Sequence, residues 1–374
     1  MNGIIISFII IIISLIILIF INRRKNKYKK LSEYSFTNPP NKILKEEDHV
    51  TCFLCLKNGN FLSGQMNGMI SLYRHKDFKF LALIIEFCEP ITSLSELNDG
   101  TILVSSAEGI LKKIKLLNDN NDNPRKNKYL VEFVFYTNKE FIFKSIQLQN
   151  SEDILSSNIA KELILWKKTE NEIELYKFDK ILLKNEYVRD IFQINENIFI
   201  TAGESLQCWD IKNYKSIKNL NYECKGNNSI YKLNEELTGI FLKNNGDILL
   251  FNNNDLIGIA IINLSKFSLT SLKLLRNTTI LVGIFNEQNK KSFINQYIIK
   301  ANNQKREKNE KEKFEMIKIK EEEVNFTEDD IYFNEFDWSR INTIDEIDNF
   351  VVLGIGGQEK MRNFGKLMIF KKNI

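Results

Sequence analysis

Val188-Arg189-Asp190-Ile191-Phe192-Gln193-Ile194-Asn195-Glu196-Asn197-Ile198-Phe199-Ile200-Thr201-Ala202-Gly203 decides the fold. An apolar strand start is followed, about ten residues on, by a polar turn and a second strand of β-branched and aromatic residues, which reads as a hairpin. Two upstream stretches share the layout. Val50-Thr51-Cys52-Phe53 leads to Asn58-Gly59-Asn60-Phe61-Leu62-Ser63-Gly64, and Ile91-Thr92-Ser93-Leu94 leads to Asp99-Gly100-Thr101-Ile102-Leu103-Val104-Ser105-Ser106. Asn-Gly and Asp-Gly between apolar runs mark tight hairpin turns, because these residues tolerate positive φ.

Outward from these stretches the layout becomes a period. Second strands are expected to start at Phe61, Ile102, Ile154, Ile198, Leu237, Ile280 and Val351, at intervals of 41, 52, 44, 39, 43 and 71 residues. Third strands are expected to end near Tyr73, Lys115, Trp166, Trp209, Phe251, Tyr297 and Phe370. A recurring unit of about 40 to 45 residues built from short strands is the spacing of a propeller blade with four antiparallel strands. The expected fold is therefore all-β, a seven-bladed β-propeller over residues 41–374.

The stretch Ile200-Thr201-Ala202-Gly203-Glu204-Ser205-Leu206-Gln207-Cys208-Trp209-Asp210 resembles the WD40 repeat family, whose repeat closes on a Trp-Asp pair. Leu165-Trp166-Lys167, Ser71-Leu72-Tyr73 and Leu250-Phe251 keep the aromatic position without the Asp. The family's Gly-His dipeptide is absent, so its His-to-Asp hydrogen-bond network is not expected in most blades, and cohesion should rest mainly on apolar stacking. The resemblance implies a scaffold that assembles proteins.

Four details refine the ring. Only four residues follow Phe370, too few for a fourth strand, and an open edge is an aggregation hazard; Asn41 to Asp48 is expected to supply the last blade's outer strand. Asn302 to Glu323 holds seven basic and seven acidic residues, a charged insertion (302–323) ending in an outer strand near Phe314 to Ile319. Asn118 to Asn127 reads as a polar loop. The fifth unit has a short first hairpin around Asn234 to Glu236.

The N-terminus reads differently. Ile4 to Ile21 is an apolar run of 18 residues broken only by Ser7 and Ser14. At 1.5 Å per residue a helix of that length covers roughly 27 Å, enough for a thin bilayer. No charge precedes the run and no small-x-small cleavage site follows it, so a single transmembrane signal anchor (1–22) is expected rather than a cleaved signal. Arg23, Arg24, Lys25, Lys27, Lys29 and Lys30 open a basic juxtamembrane linker (23–40). By the positive-inside rule the propeller then lies in the cytosol, on the endoplasmic reticulum or another endomembrane, and the same cluster is a candidate site for anionic lipid.

The composition excludes several classes. The chain has 374 residues, 43% hydrophobic and 27% charged, which suits a folded body. Residues 31–374 hold 46 basic and 48 acidic residues, so the folded part lacks the basic excess expected of a nucleic-acid binder. Cys52 and Cys55 form C-x-x-C, but within a first strand their side chains face opposite sides and no second pair follows, so no metal is expected. His49 and His75 are the only histidines, and neither accompanies a nucleophile motif. Gly354-Ile355-Gly356-Gly357 lacks the Lys-Ser/Thr ending of a phosphate loop and reads as a turn between second and third strands. Neither a catalytic residue, a cofactor nor a small-molecule substrate is expected. Tyr187, Arg189, Trp338 and Arg340 lie near first-strand starts, hence near one face of the ring, and belong to residue types enriched at binding hot spots.

The expectation is a membrane-anchored, non-catalytic scaffold for other proteins, in trafficking or organelle signalling. Two rivals stand beside it: an enzyme with a pocket at the central channel, and a lumenal or secreted propeller. The sequons at Asn227, Asn263, Asn277 and Asn325 make the second testable.

Overall fold

The computed structural model describes residues 40–371 except 118–128, 137–140, 171–174, 221–227, 234–235, 243–246, 264–267, 276–278, 302–313, 324–337 and 360–361. These residues form seven four-stranded antiparallel sheets, each built from strands in chain order. The inner strands are Val50–Cys55, Ile91–Glu96, Ile142–Gln147, Val188–Gln193, Asn228–Lys232, Ser268–Leu274 and Trp338–Ile347. Each inner strand touches that of the next blade, and Trp338–Ile347 touches Val50–Cys55, so the sheets close into a ring around a central channel. Blades are numbered here from the one that begins at Val50.

Closure is made by Lys42–Glu46, which pairs antiparallel with Arg362–Lys371 and supplies the outer strand of blade 7. The strand spans the register Lys42↔Ile369 to Glu46↔Gly365, within the stretch assigned to that duty from the sequence. Second strands begin at Phe61, Ile102, Ile154, Ile198 and Leu237 as expected, and one residue early at Thr279 and Phe350. The outer strand of blade 6 is Phe314–Glu323. Gly59 and Gly100 adopt φ of 89° and 79°, as their Asn-Gly and Asp-Gly turns require.

Apolar burial is divided into seven clusters, one at every joint between neighbouring blades. Between blades 1 and 2, Leu62, Ile70 and Ile84 meet Ile91, Val104 and Ile114. A four-stranded sheet alone would leave both faces wet, so each blade buries its faces only through its two neighbours.

The glycine run departs from expectation. Gly354, Gly356 and Gly357 lie inside the strand Phe350–Glu359 rather than in a turn. Their reason is close approach to the chain entering blade 1. A Cβ on Gly354 would meet Val50 Cγ1 at 2.8 Å, and one on Gly356 would meet the His49 Cβ at 2.7 Å. The His49 Nε2 sits 2.6 Å from the Gly357 carbonyl oxygen across this seam. Stacking is also not the whole of cohesion, because polar latches recur between blades 1 and 4, as described below.

Among the described residues no helix is long and apolar enough to cross a membrane. The run Ile4 to Ile21, the basic cluster Arg23 to Lys30 and the tract Asn118 to Asn127 lie outside the described residues.

Candidate functional site

Six of the seven inner strands carry a β-bulge near their start, whose extra residue is Thr51, Thr92, Phe143, Arg189, Thr270 or Asn342. A bulge kinks the strand and re-aims one side chain. At blades 3 and 4 the two re-aimed residues meet: the Arg189 guanidinium lies 3.9 Å from the centroid of the Phe143 ring and 5.1 Å from that of Tyr187. Lys161 reaches the other part of this cluster, 4.4 Å from the Tyr187 ring centroid, and pairs with Glu204 at 3.1 Å. Phe141 packs on Phe143 at 5.2 Å between ring centroids.

Local structure fixes the cluster. The Glu204 N–H donates to the Tyr187 carbonyl at 3.0 Å, and Gly203 lets that carbonyl in, since a Cβ there would sit 1.7 Å from it. Lys161 and Glu204 occupy the turns between second and third strands, on the face where inner strands begin. Burial lowers the Arg189 pKa from its ordinary value. A half-buried guanidinium between two aromatic rings, with an ion pair at its edge and exposed Ile159 on the adjoining turn, can hold a peptide side chain by stacking and hydrogen bonding.

The structure brings Tyr187 and Arg189 together at the start of the blade 4 inner strand. Arg340 stands on the blade 7 inner strand, 4.7 Å from the Phe285 ring centroid of blade 6. Trp338 opens that same strand, paired with Gln358. Phe143, Lys161 and Glu204 were missed, because only the bulge and the adjoining blade bring them to the cluster. A run of alternating Phe residues, Phe141 and Phe143, was the one signal available.

On the channel, the inner strands of blades 1, 6 and 7 enclose a cleft of about 480 Å³ lined by Phe53, Leu54, Cys55, Lys273, Leu274, Asp345 and Glu346. Burial works against the Lys273 ammonium, but Asp345 at 2.5 Å more than offsets it and holds its pKa above the ordinary value. The two charges are committed to each other. Cys52 and Cys55 point to opposite neighbours, with Sγ atoms 3.9 Å from the Ile91 oxygen of blade 2 and 4.0 Å from the Glu346 oxygen of blade 7. Burial pushes the Cys52 thiol up to about 11. No group of three potential metal ligands occurs among the described residues.

Blades 3 and 4 share one polar contact in their interior. The Trp166 indole N–H donates to Ser156 Oγ at 2.9 Å and that of Trp209 to Thr201 Oγ1 at 3.0 Å. With ring and blades in place, the molecule is a seven-bladed β-propeller.

Solved structures share that fold. The Cps50 (Swd1) β-propeller domain of Myceliophteria thermophila matches with a TM-score of 0.61 and 11% identity, over 89% of this chain and 98% of that one. Raptor of Chaetomium thermophilum matches with a TM-score of 0.66 and 10% identity over 93% of this chain, which spans 30% of Raptor. The WD40 β-propeller domain of Doa1 matches with a TM-score of 0.57 and 14% identity, over 89% and 96%. At such identities the likeness concerns the fold. No family model and no curated protein matches the sequence.

Proposed function

We propose that this chain is a membrane-anchored, non-catalytic propeller that gathers other proteins on the cytosolic face of an endomembrane, serving trafficking or organelle signalling. The observation that carries the scaffold reading is the Phe143–Arg189–Tyr187 stack with Lys161 at its edge. Arginine and tyrosine held in place at low rotamer cost are the residues from which interface hot spots are made. The membrane part rests on the apolar run Ile4 to Ile21 and the six positive charges after it.

Two experiments test the reading. The full chain is purified from detergent extract beside an Arg189→Glu, Tyr187→Ala variant; the scaffold reading expects a defined subset of co-purifying proteins to vanish from the variant. An identical set from both would refute the site. Protease treatment of sealed microsomes should digest residues 41–374 and leave the four sequons unglycosylated, whereas protection of the propeller would reverse the orientation.

A further inference from the structure

The seven outer strands differ sharply in charge. Those of blades 3 and 4 are Tyr176–Lys184 and Lys215–Leu220. Together with the turn before the second, they carry Lys177, Lys180, Lys184, Lys212, Lys215 and Lys218 against a single acid, Asp179. The blade 2 strand Tyr129–Tyr136 carries only Glu132, the blade 5 strand Ile257–Asn263 carries no charge, and the blade 6 strand Phe314–Glu323 holds four glutamates against two lysines. One lysine is enough to protect an edge strand from pairing with another chain, and blades 2 and 5 do without any. The excess on blades 3 and 4 therefore needs another explanation.

Among the described residues none of the six ammonium groups forms an ion pair, and five of the six lysines are exposed, with Lys218 half-buried. Large apolar side chains stand among them: Phe178 is 54% exposed, Ile181 36% and Ile217 49%. The two strands form one surface, since the Lys180 ammonium lies 5.5 Å from the ring centroid of Tyr214 in the turn leading to the blade 4 strand. Unpaired lysines around exposed aromatic and aliphatic side chains are the composition of a surface that settles into the headgroup region of an acidic membrane.

Position on the ring says which membrane. The chain enters the ring at blade 7, through Lys42–Glu46, and in a ring of seven the point opposite blade 7 is the joint between blades 3 and 4. A folded body of this length is roughly 50 Å across. The lysine rim is thus the part of the ring farthest from the point where the chain enters.

We propose that the outer rim of blades 3 and 4 docks on an anionic lipid bilayer apposed to the anchoring one, so that the propeller bridges two membranes. The bridging rests on the anchor reading above; the lipid contact rests on the rim alone.

The test uses the full chain reconstituted into phosphatidylcholine donor vesicles, mixed with fluorescent acceptor vesicles about one-third phosphatidylserine. Donors should capture these acceptors and ignore acceptors of pure phosphatidylcholine. Replacing all six lysines by glutamine should lower capture about tenfold or more, and Phe178→Ser with Ile217→Ser should lower it further, with the thermal melt unchanged. Replacing Arg23 to Lys30 by glutamine should leave capture intact. Equal capture by the six-lysine variant overturns the proposal, as does capture that follows the Arg23 to Lys30 cluster, or binding to polyglutamate without vesicle capture. Retention of the protein on donors after carbonate washing reads the anchor separately: protein released by the wash that still binds acidic vesicles through the rim refutes the anchor and upholds the lipid contact.

Discussion

The joints between blades 1 and 4 and the joint where blade 7 meets blade 1 hold the same kind of sheets together by different means. Along the first set a single latch recurs. Side-chain oxygens of Glu96, Gln147 and Gln193, at the end of each inner strand, accept the backbone N–H of Lys57, Asn98 and Gln149 in the preceding blade at 2.8, 2.8 and 2.9 Å. Blade 5 has Lys232 at that position and blade 6 has Leu274, neither of which can accept, so these two inner strands lack the latch. The closing joint uses a paired strand, a glycine seam and a half-buried carboxylate instead. Glu46 accepts from Gln65 Nε2 and Ser71 Oγ at 2.8 and 2.7 Å, from the Tyr73 hydroxyl at 3.0 Å, and from Ser63. Serial joints are made by repetition, and the closing joint by residues about 300 positions apart in the chain, among them Asn342, whose Nδ2 donates to the Val50 oxygen at 2.7 Å.

The comparison can be broken most forcefully at the seam. A Cβ on Gly365 would sit 1.8 Å from the Asp48 carbonyl oxygen, an atom of the backbone that cannot swing aside. Gly365→Ala should cost at least about 3 kcal/mol, read as a lowered urea midpoint. The turns between third and outer strands come next. Phe78 and Tyr214 both adopt φ of 55°, where glycine would be relaxed, because their side chains plug the closing joint and the joint between blades 3 and 4. Phe78→Gly relieves that backbone but should still lose about 2 kcal/mol, since the lost burial outweighs the relief.

The serial latch is a smaller quantity. Gln147→Leu removes one acceptor and should cost about 1 kcal/mol, whereas Leu274→Gln in blade 6 should cost no less, because it takes an apolar side chain off the cluster between blades 5 and 6. A rise in urea midpoint for Leu274→Gln would show that the latch can be extended around the ring.

Glu46 gives the smallest effect and one with a pH signature. Burial raises its pKa above the ordinary value, against the lowering by Ser63, Ser71 and Tyr73. The native state then favours the protonated form, so the stability it contributes is complete below the ordinary glutamate value and declines as pH climbs through the folded one. Glu46→Gln cannot ionise and should gain on the wild type by a few tenths of a kcal/mol from acid to neutral pH. Parallel urea midpoints for the two proteins at both pH values would remove Glu46 from the account.

The same contrast explains what the sequence disclosed. Strand starts such as Phe61 and Ile198, and the outer strand at Phe314, follow from local alternation and turn chemistry, which each blade repeats. The duty of Lys42–Glu46 followed from a missing fourth strand. Gly354 to Gly357 misled, because a glycine run signals a turn locally and a close approach only when the distant His49 and Val50 are in view. Tyr187 and Arg189 were legible as residue types at a strand start, but the bulge that turns Phe143 onto Arg189 depends on pairing with the second strand. Glu96, Gln147 and Gln193 keep one register from blade to blade, yet polar residues at strand ends look alike until the backbone N–H that each receives is seen.

Closure of the ring is the claim from which the rest follows, and amide hydrogen exchange along Lys42–Glu46 tests it directly. The amides of this strand that bond to Arg362–Lys371 should exchange as slowly as those of the inner strand Trp338–Ile347 and open with them in one cooperative step. Exchange at the rate of a free segment, with Arg362–Lys371 also losing protection along its outer edge, would mean that blade 7 has three strands and the wheel is open.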